Sequence, residues 1–354
     1  MVELKSSLYA ALLRQELGAR NREWARGRAH VESYGNPPVV VYCPNDHPAD
    51  EDLSAGTLAK SGPRHGNFFD GAYGAITARA DWMRRFDKIH TGQRSLPKAE
   101  SGRRWRELDS SMSSDALLMN VFCTPGVVAP GELLGALGVD SNEPFVFGWK
   151  ARVPLANGRV DRTEVDLRLG SLLIEAKLTE ADFQTREARI VEAYRDFDAV
   201  FDRELLPRVA MPTRRRRQVT EFPEEVSQEF ESYVDQAERG PGLLPGMEAS
   251  AAAAVANSVA ESVAGYASYQ LIRNVLAAYA EGCSFCVIHD ERRPDLRESW
   301  FQVMAAVKQA DMRVRLKVLT WQELAGLAPE GLQEFLALKY GIAAAGRSGG
   351  GEID

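Results

Sequence analysis

Histidine and cysteine are scarce in this chain: 5 histidines and 4 cysteines are spread over 354 residues. His30, His47, His65, His90 and His289 form no pair at metal-ligand spacing, which argues against a zinc site. Cys283 and Cys286 stand close together, yet a four-cysteine cluster would need Cys43 and Cys123 from distant segments. Core packing is the expected role, because Cys286 sits in an apolar run where a free thiol behaves as a small hydrophobe. So few cysteines make no disulfide framework, and a reducing compartment is expected. Long apolar runs are missing as well. The opening twenty residues interleave charge with apolar residues where a secretory leader carries an apolar block, so the protein is expected in the cytoplasm and off the membrane. G-x-x-x-x-G-K-[ST] and G-x-G-x-x-G are both absent, which argues against an ATPase motor or a dinucleotide cofactor.

What is present describes a folded protein. Hydrophobic residues make up 45% and charged residues 26%, ordinary values for a globular chain, and the length suffices for a full core. A net charge of -7 argues against a coat for nucleic acid, whose affinity comes from Lys and Arg releasing counterions. Basic charge is concentrated locally: Arg214 to Arg217 run together just before an acidic segment, residues 221 to 238. A solvated loop followed by a charged helix face is the preferred reading, with a phosphate-binding arm as the alternative.

Three regions follow from the texture. Residues 1 to 110 read as helical and loop-rich, opening on an amphipathic helix with Leu4, Leu8, Ala11 and Leu12 on one stripe. "GNFFDGAYG" in this region offers Phe68, Phe69 and Tyr73, either to stack on bases or to anchor a long loop to the core, and anchoring is preferred. Residues 111 to 320 read as the main α/β core. Ser113 or Ser114 caps a helix with Leu117, Leu118 and Phe122 inward, and three strands then follow with short turns between Phe145 and Leu178. Thr179 with Asp182 resembles a capping box, and Phe183, Ile190, Tyr194, Phe197 and Phe201 keep near-helical spacing, so a helix is expected to open a helical insertion over 179 to 246. A long helix over Met247 to Glu281, two later strands at "SFCVIHD" and "RVRLKVLT", and a helix from Pro294 between them complete the core. Residues 321 to 354 read as helices and a disordered tail.

The stretch "RTEVDLRLGSLLIEAKLTE" carries the chemistry. If Gly170-Ser171 is a two-residue turn, Asp166 faces Glu175 and Glu164 faces Lys177. Alternation then puts all four charges on one side of the hairpin, against Val165, Leu167, Leu169, Leu172, Ile174, Ala176 and Leu178 on the other. Two carboxylates that close repel unless a cation or proton intervenes, and a hard divalent cation supplies that compensation. Lys177 beside Glu175 is suited to orient water or to stabilise charge on a phosphate.

Asp166 followed by Glu175-Ala176-Lys177 resembles the PD-(D/E)XK nucleases of the restriction-endonuclease-like fold. The resemblance implies that Asp166 and Glu175 bind Mg²⁺ or Mn²⁺ and that Lys177 assists the hydrolytic water. It implies a core of helix, three-strand meander, helix and strand, and a polar residue on the second helix, here Gln270, with Arg273 and Asn274 at helical spacing from it. An acid on the first helix is implied too, Asp115 before Glu132, while Glu164 is either an outer ligand or a partner for Lys177. Val165 stands where the family has proline. The expected function is hydrolysis of phosphodiester bonds, in DNA before RNA, with a homodimer compatible with the reading. The alternative is a non-catalytic nucleic-acid-binding or assembly protein that keeps the core.

Overall fold

The computed structural model describes residues 2–35, 37–43, 64–90, 95–98, 104–127, 132–139, 145–212 and 262–344. Ten strands are formed among them: β1 (His30–Glu32), β2 (Val40–Tyr42), β3 (Phe145–Pro154), β4 (Val160–Leu169), β5 (Leu172–Ala176), β6 (Arg186–Glu187), β7 (Arg208–Pro212), β8 (Ser262–Tyr266), β9 (Ser284–His289) and β10 (Leu316–Thr320). A five-stranded mixed sheet in the order β10-β9-β5-β4-β3 forms the centre. The meander β3-β4-β5 is antiparallel, and β9 and β10 add to it in parallel. Every residue of β5 is buried, as expected of an interior strand covered on both faces.

The helices are α1 (Val2–Trp24), α2 (Asp70–Thr77), α3 (Ala80–Met83), α4 (Ser114–Cys123), α5 (Glu132–Leu137), α6 (Ala188–Val191), α7 (Phe197–Val200), α8 (Tyr269–Glu281), α9 (Pro294–Ala305), α10 (Ala310–Arg313), α11 (Trp321–Gly326) and α12 (Glu330–Tyr340). They cover both sheet faces. Leu173, Phe285 and Val287 pack with α8 and α9, while Leu172, Ile174, Cys286 and Ile288 pack with α1, α4, α11 and α12. Ser113 caps α4 by accepting from Ala116 N, and Pro294 opens α9 at a position where a missing N–H costs nothing.

Several expectations need correction. On α1 the buried stripe is Ala10, Leu13 and Leu17, whereas Leu8 is 56% and Leu12 54% exposed. The helix meets α12 along that other stripe, which a two-turn pattern could not distinguish. No helix starts at Thr179. Asp182 instead accepts from Gln184 N, turning the chain locally, and Gln184 then takes a positive φ of 63° that no helix continues. Phe183, Tyr194, Phe197 and Phe201 are buried while Ile190 is 39% exposed, and of the five only Ile190, on α6, and Phe197, on α7, lie in helical turns. In the described part of the insertion, residues 179–212, the short strands β6 and β7 join β8, which lies beyond it, in a small antiparallel sheet, and the helical pieces are the single turns α6 and α7. Of the expected long helix, 247–261 lie outside the described residues, 262–266 pair with β7 as a strand, and Tyr269–Glu281 is helical. Arg214–Arg217, the acidic segment and the C-terminal tail lie outside the described residues.

The meander holds the register read from its turn, with Leu167 opposite Ile174 and Leu169 opposite Leu172. Alternation, however, breaks inside it. Leu167 and Leu169 belong to the α4 cluster, while Val165, Ala151 and Val153 belong to the α8 cluster. Strict alternation would keep Val165 with Leu167. The change falls between Phe147↔Leu167 and Trp149↔Val165, where Gly148 has φ 64° opposite Asp166. A glycine at positive φ inside a strand is how a chain re-aims its side chains.

Candidate active site

The break in alternation decides where the hairpin's charges go. Asp166, at the break, turns its Oδ2 to accept from Ala176 N at 2.8 Å, so the carboxylate bridges β4 to the end of β5. Glu175 is buried on the α8 side, and its two oxygens accept from Lys177 Nζ at 2.8 Å and from Asn274 Nδ2 at 2.8 Å. The backbone of Lys177 is pinned on both sides: its N–H donates to Ile288 O, and its carbonyl accepts from Trp321 Nε1. Glu164 does not meet Lys177, contrary to expectation. It lies beyond the break and accepts from Arg85 Nη1 at 2.6 Å.

These groups line one polar cavity of about 430 Å³, which collects Asp166, Glu175 and Lys177 from the meander, Asp115 from α4, and Gln270 and Arg273 from α8. Glu132 is exposed on α5 and takes no part in the lining. Oε1 of Gln270 is buried with no hydrogen-bond partner among the described residues, as is Oδ1 of Asn274. Arg273 leans over the Tyr269 ring at 5.4 Å and reaches the Glu164 carbonyl at 3.5 Å. Phe68 and Tyr73 are buried in a cluster with Phe86 rather than facing the cavity, so they anchor the N-terminal region.

The electrostatics follow from crowding. Burial raises the Asp166 carboxyl well above the ordinary range, and the nearby Glu175 and Asp115 carboxylates push it further. Burial works against the Lys177 ammonium, but the carboxylates of Glu175, Glu180 and Asp166 outweigh it and hold its pKa above the lysine norm. Asp115 is the reverse case. Burial opposes its charge, yet Lys88 and Arg85 hold it below the usual carboxylate range.

Among the described residues, no three His, Cys, Asp or Glu side chains converge as a ready metal cage. Mg²⁺ does not need one, since it binds through one or two carboxylates and keeps several waters. Asp166, Glu175 and the unpartnered Gln270 Oε1 are all hard oxygen donors on one cavity wall, and they fit such an ion.

A family model described as Restriction Endonuclease associating with ARP matches residues 19–341. The chain belongs to that family. No curated protein and no solved structure matches it. In this restriction-endonuclease family member, Arg85 and Lys88 escaped the sequence reading, as did Glu107, Glu180 and Gln184 of the cavity lining and the anchoring role of Asn274. Asn274 sits at helical spacing from Gln270, but its contact with Glu175 depends on the packing of α8 against β5. Arg85 and Lys88 precede Asp115 by about thirty residues, with no local motif to join them. Gly148 was the available signal, a lone glycine inside a strand pattern that marks a close approach.

Proposed function

We propose that this chain is a divalent-metal-dependent nuclease of the PD-(D/E)XK type that hydrolyses phosphodiester bonds in DNA. The observation that carries the reading is the single cavity holding Asp166, Glu175, Lys177 and the orphaned Gln270 Oε1. Family membership supports a restriction endonuclease. Asp166 and Glu175 would hold Mg²⁺ or Mn²⁺, and when bound the ion supplies Lewis-acid stabilisation of a phosphoryl oxygen. Lys177, kept as an ammonium by its carboxylate neighbours, donates to the water and to the phosphate rather than removing a proton. Asn274 and Lys177 fix the rotamer of Glu175, and Gln270 offers a further acceptor from α8. The family description also names an association with ARP, which we carry over as a proposed partner.

The test is a cleavage assay on supercoiled plasmid and single-stranded DNA with Mn²⁺, using the parent chain, Glu175→Ala and Lys177→Ala. Cutting by the parent alone is the expected result. If the variants cut as well as the parent, the cavity is not the active site. If nothing is cut, the non-catalytic reading takes over.

A further inference from the structure

Asp115 is the acid that the first core helix presents to the cavity, and the structure has already neutralised it. Its side chain is 6% exposed and takes Arg85 Nη2 on both oxygens, at 2.9 and 2.8 Å, with Lys88 Nζ at 2.9 Å on Oδ2. Arg85 spends its other terminal nitrogen on Glu164. On this side of the cavity Arg85 and Lys88 answer Asp115 and Glu164, with Glu107 a further carboxylate on the lining. On the other side Lys177 bonds Glu175 while Asp166 accepts from the Ala176 N–H, and the crowding of this carboxylate pair is what a divalent cation would relieve.

The fold is shaped to admit this arrangement. A Cβ built on Gly148 would come within 2.3 Å of Arg85 Nη1, so the guanidinium passes through space that any other residue would fill. Arg85 and Lys88 come from a 3-10 turn, Arg84–Asp87, and the residue after it, in the N-terminal region. Arg85 is closed off at 8% side-chain exposure, but Lys88 keeps 41% and lines the cavity. Its ammonium has three donors, of which Asp115 occupies one.

We infer that Arg85 and Lys88 act as a resident second positive centre: the cavity takes one divalent cation, at Asp166 and Glu175, and Lys88 meets the substrate phosphate where two-metal enzymes place a second ion. The inference rests on the nuclease reading above. Two-metal sites clamp attacking and leaving oxygens between ions. Here Asp115 has no free charge to hold a second ion, and Lys88 is a fixed point charge for an oxyanion. Arg85 is a positioning residue that holds Asp115 and Glu164 in place for Lys88.

Mn²⁺ titration of the full-length chain by calorimetry, beside plasmid cleavage, tests this with Lys88→Met and Lys88→Arg. The parent is expected to bind one Mn²⁺ per chain. Lys88→Met should bind it within a few-fold of the parent affinity, and at saturating Mn²⁺ lose about 100-fold in kcat with a smaller change in KM, as when one charge-stabilising donor is removed. Lys88→Arg should restore most of the rate. A melting curve for each variant separates misfolding from loss of function. Two Mn²⁺ per parent chain, or undiminished kcat in a folded Lys88→Met that binds one, would overturn the second-centre inference and leave the nuclease standing. No Mn²⁺ binding by the parent would sink the metal-dependent reading itself.

Discussion

Asp115 shows how a single side chain can be stabilising and costly at once. Removing a carboxylate from water is expensive, and Arg85 and Lys88 compensate only while all three charges are present. Asp115→Asn keeps the shape but leaves two cations without their shared partner, a loss expected to be about 3 kcal/mol at neutral pH. The pH dependence has a definite sign. The folded pKa of Asp115 lies below its unfolded value, so its contribution is complete above about pH 4 and is lost as pH falls through the depressed folded pKa. Urea unfolding at pH 7 and at pH 3 should therefore show a large difference between parent and variant at the first and one smaller by roughly 1 kcal/mol at the second. An equal difference at both would mean that Asp115 is not held ionised by its partners.

Elements sharpen the same point, because what could be read of them depended on how local their causes are. The caps of α4 and α9 and the β4-β5 register are set by residues within one turn or hairpin, and they were legible. The place of Glu164 was not, since strand alternation changes at Gly148, and whether a glycine sits at positive φ depends on its surroundings. The small sheet β6-β8-β7 was also missed, because its strands are far apart in sequence and α-like spacing of aromatics around 183–201 imitates a helix. Gly148 can be tested against Gly158, which has φ 80° in the β3-β4 turn with open space around it. Gly158→Ala meets only the left-handed penalty, about 1 kcal/mol. Gly148→Ala meets that and the Arg85 guanidinium, so roughly 2–4 kcal/mol is expected. Equal losses in chemical denaturation would show that Arg85 does not need the gap.

At the scale of the whole molecule the first and last described helices, α1 and α12, pack together. Residues of α1 and α12 share the core cluster that backs the sheet, and between them Lys339 is fully buried. Its ammonium donates to Asn21 Oδ1 and lies 4.5 Å from the Tyr340 ring centre, without a carboxylate partner in these contacts. Burial, aided by the charge of Arg28, lowers its pKa well below the lysine norm. Asn21 Oδ1 also accepts from Tyr42 OH at 3.1 Å, so removing the amine leaves that oxygen satisfied. Lys339→Met, similar in volume and apolar, should stabilise the chain by roughly 1 kcal/mol or more at neutral pH. The unfolded state binds a proton at Lys339 that the folded state resists, so below the ordinary lysine pKa the parent is penalised and its stability rises with pH. The gain from Lys339→Met should therefore be larger at pH 7 than at pH 10, where the unfolded lysine begins to lose its proton too. A thermal melt of both proteins at the two pH values measures it, and a gain that grows toward pH 10 would mean that Lys339 is charged in the fold and held there by its tyrosines.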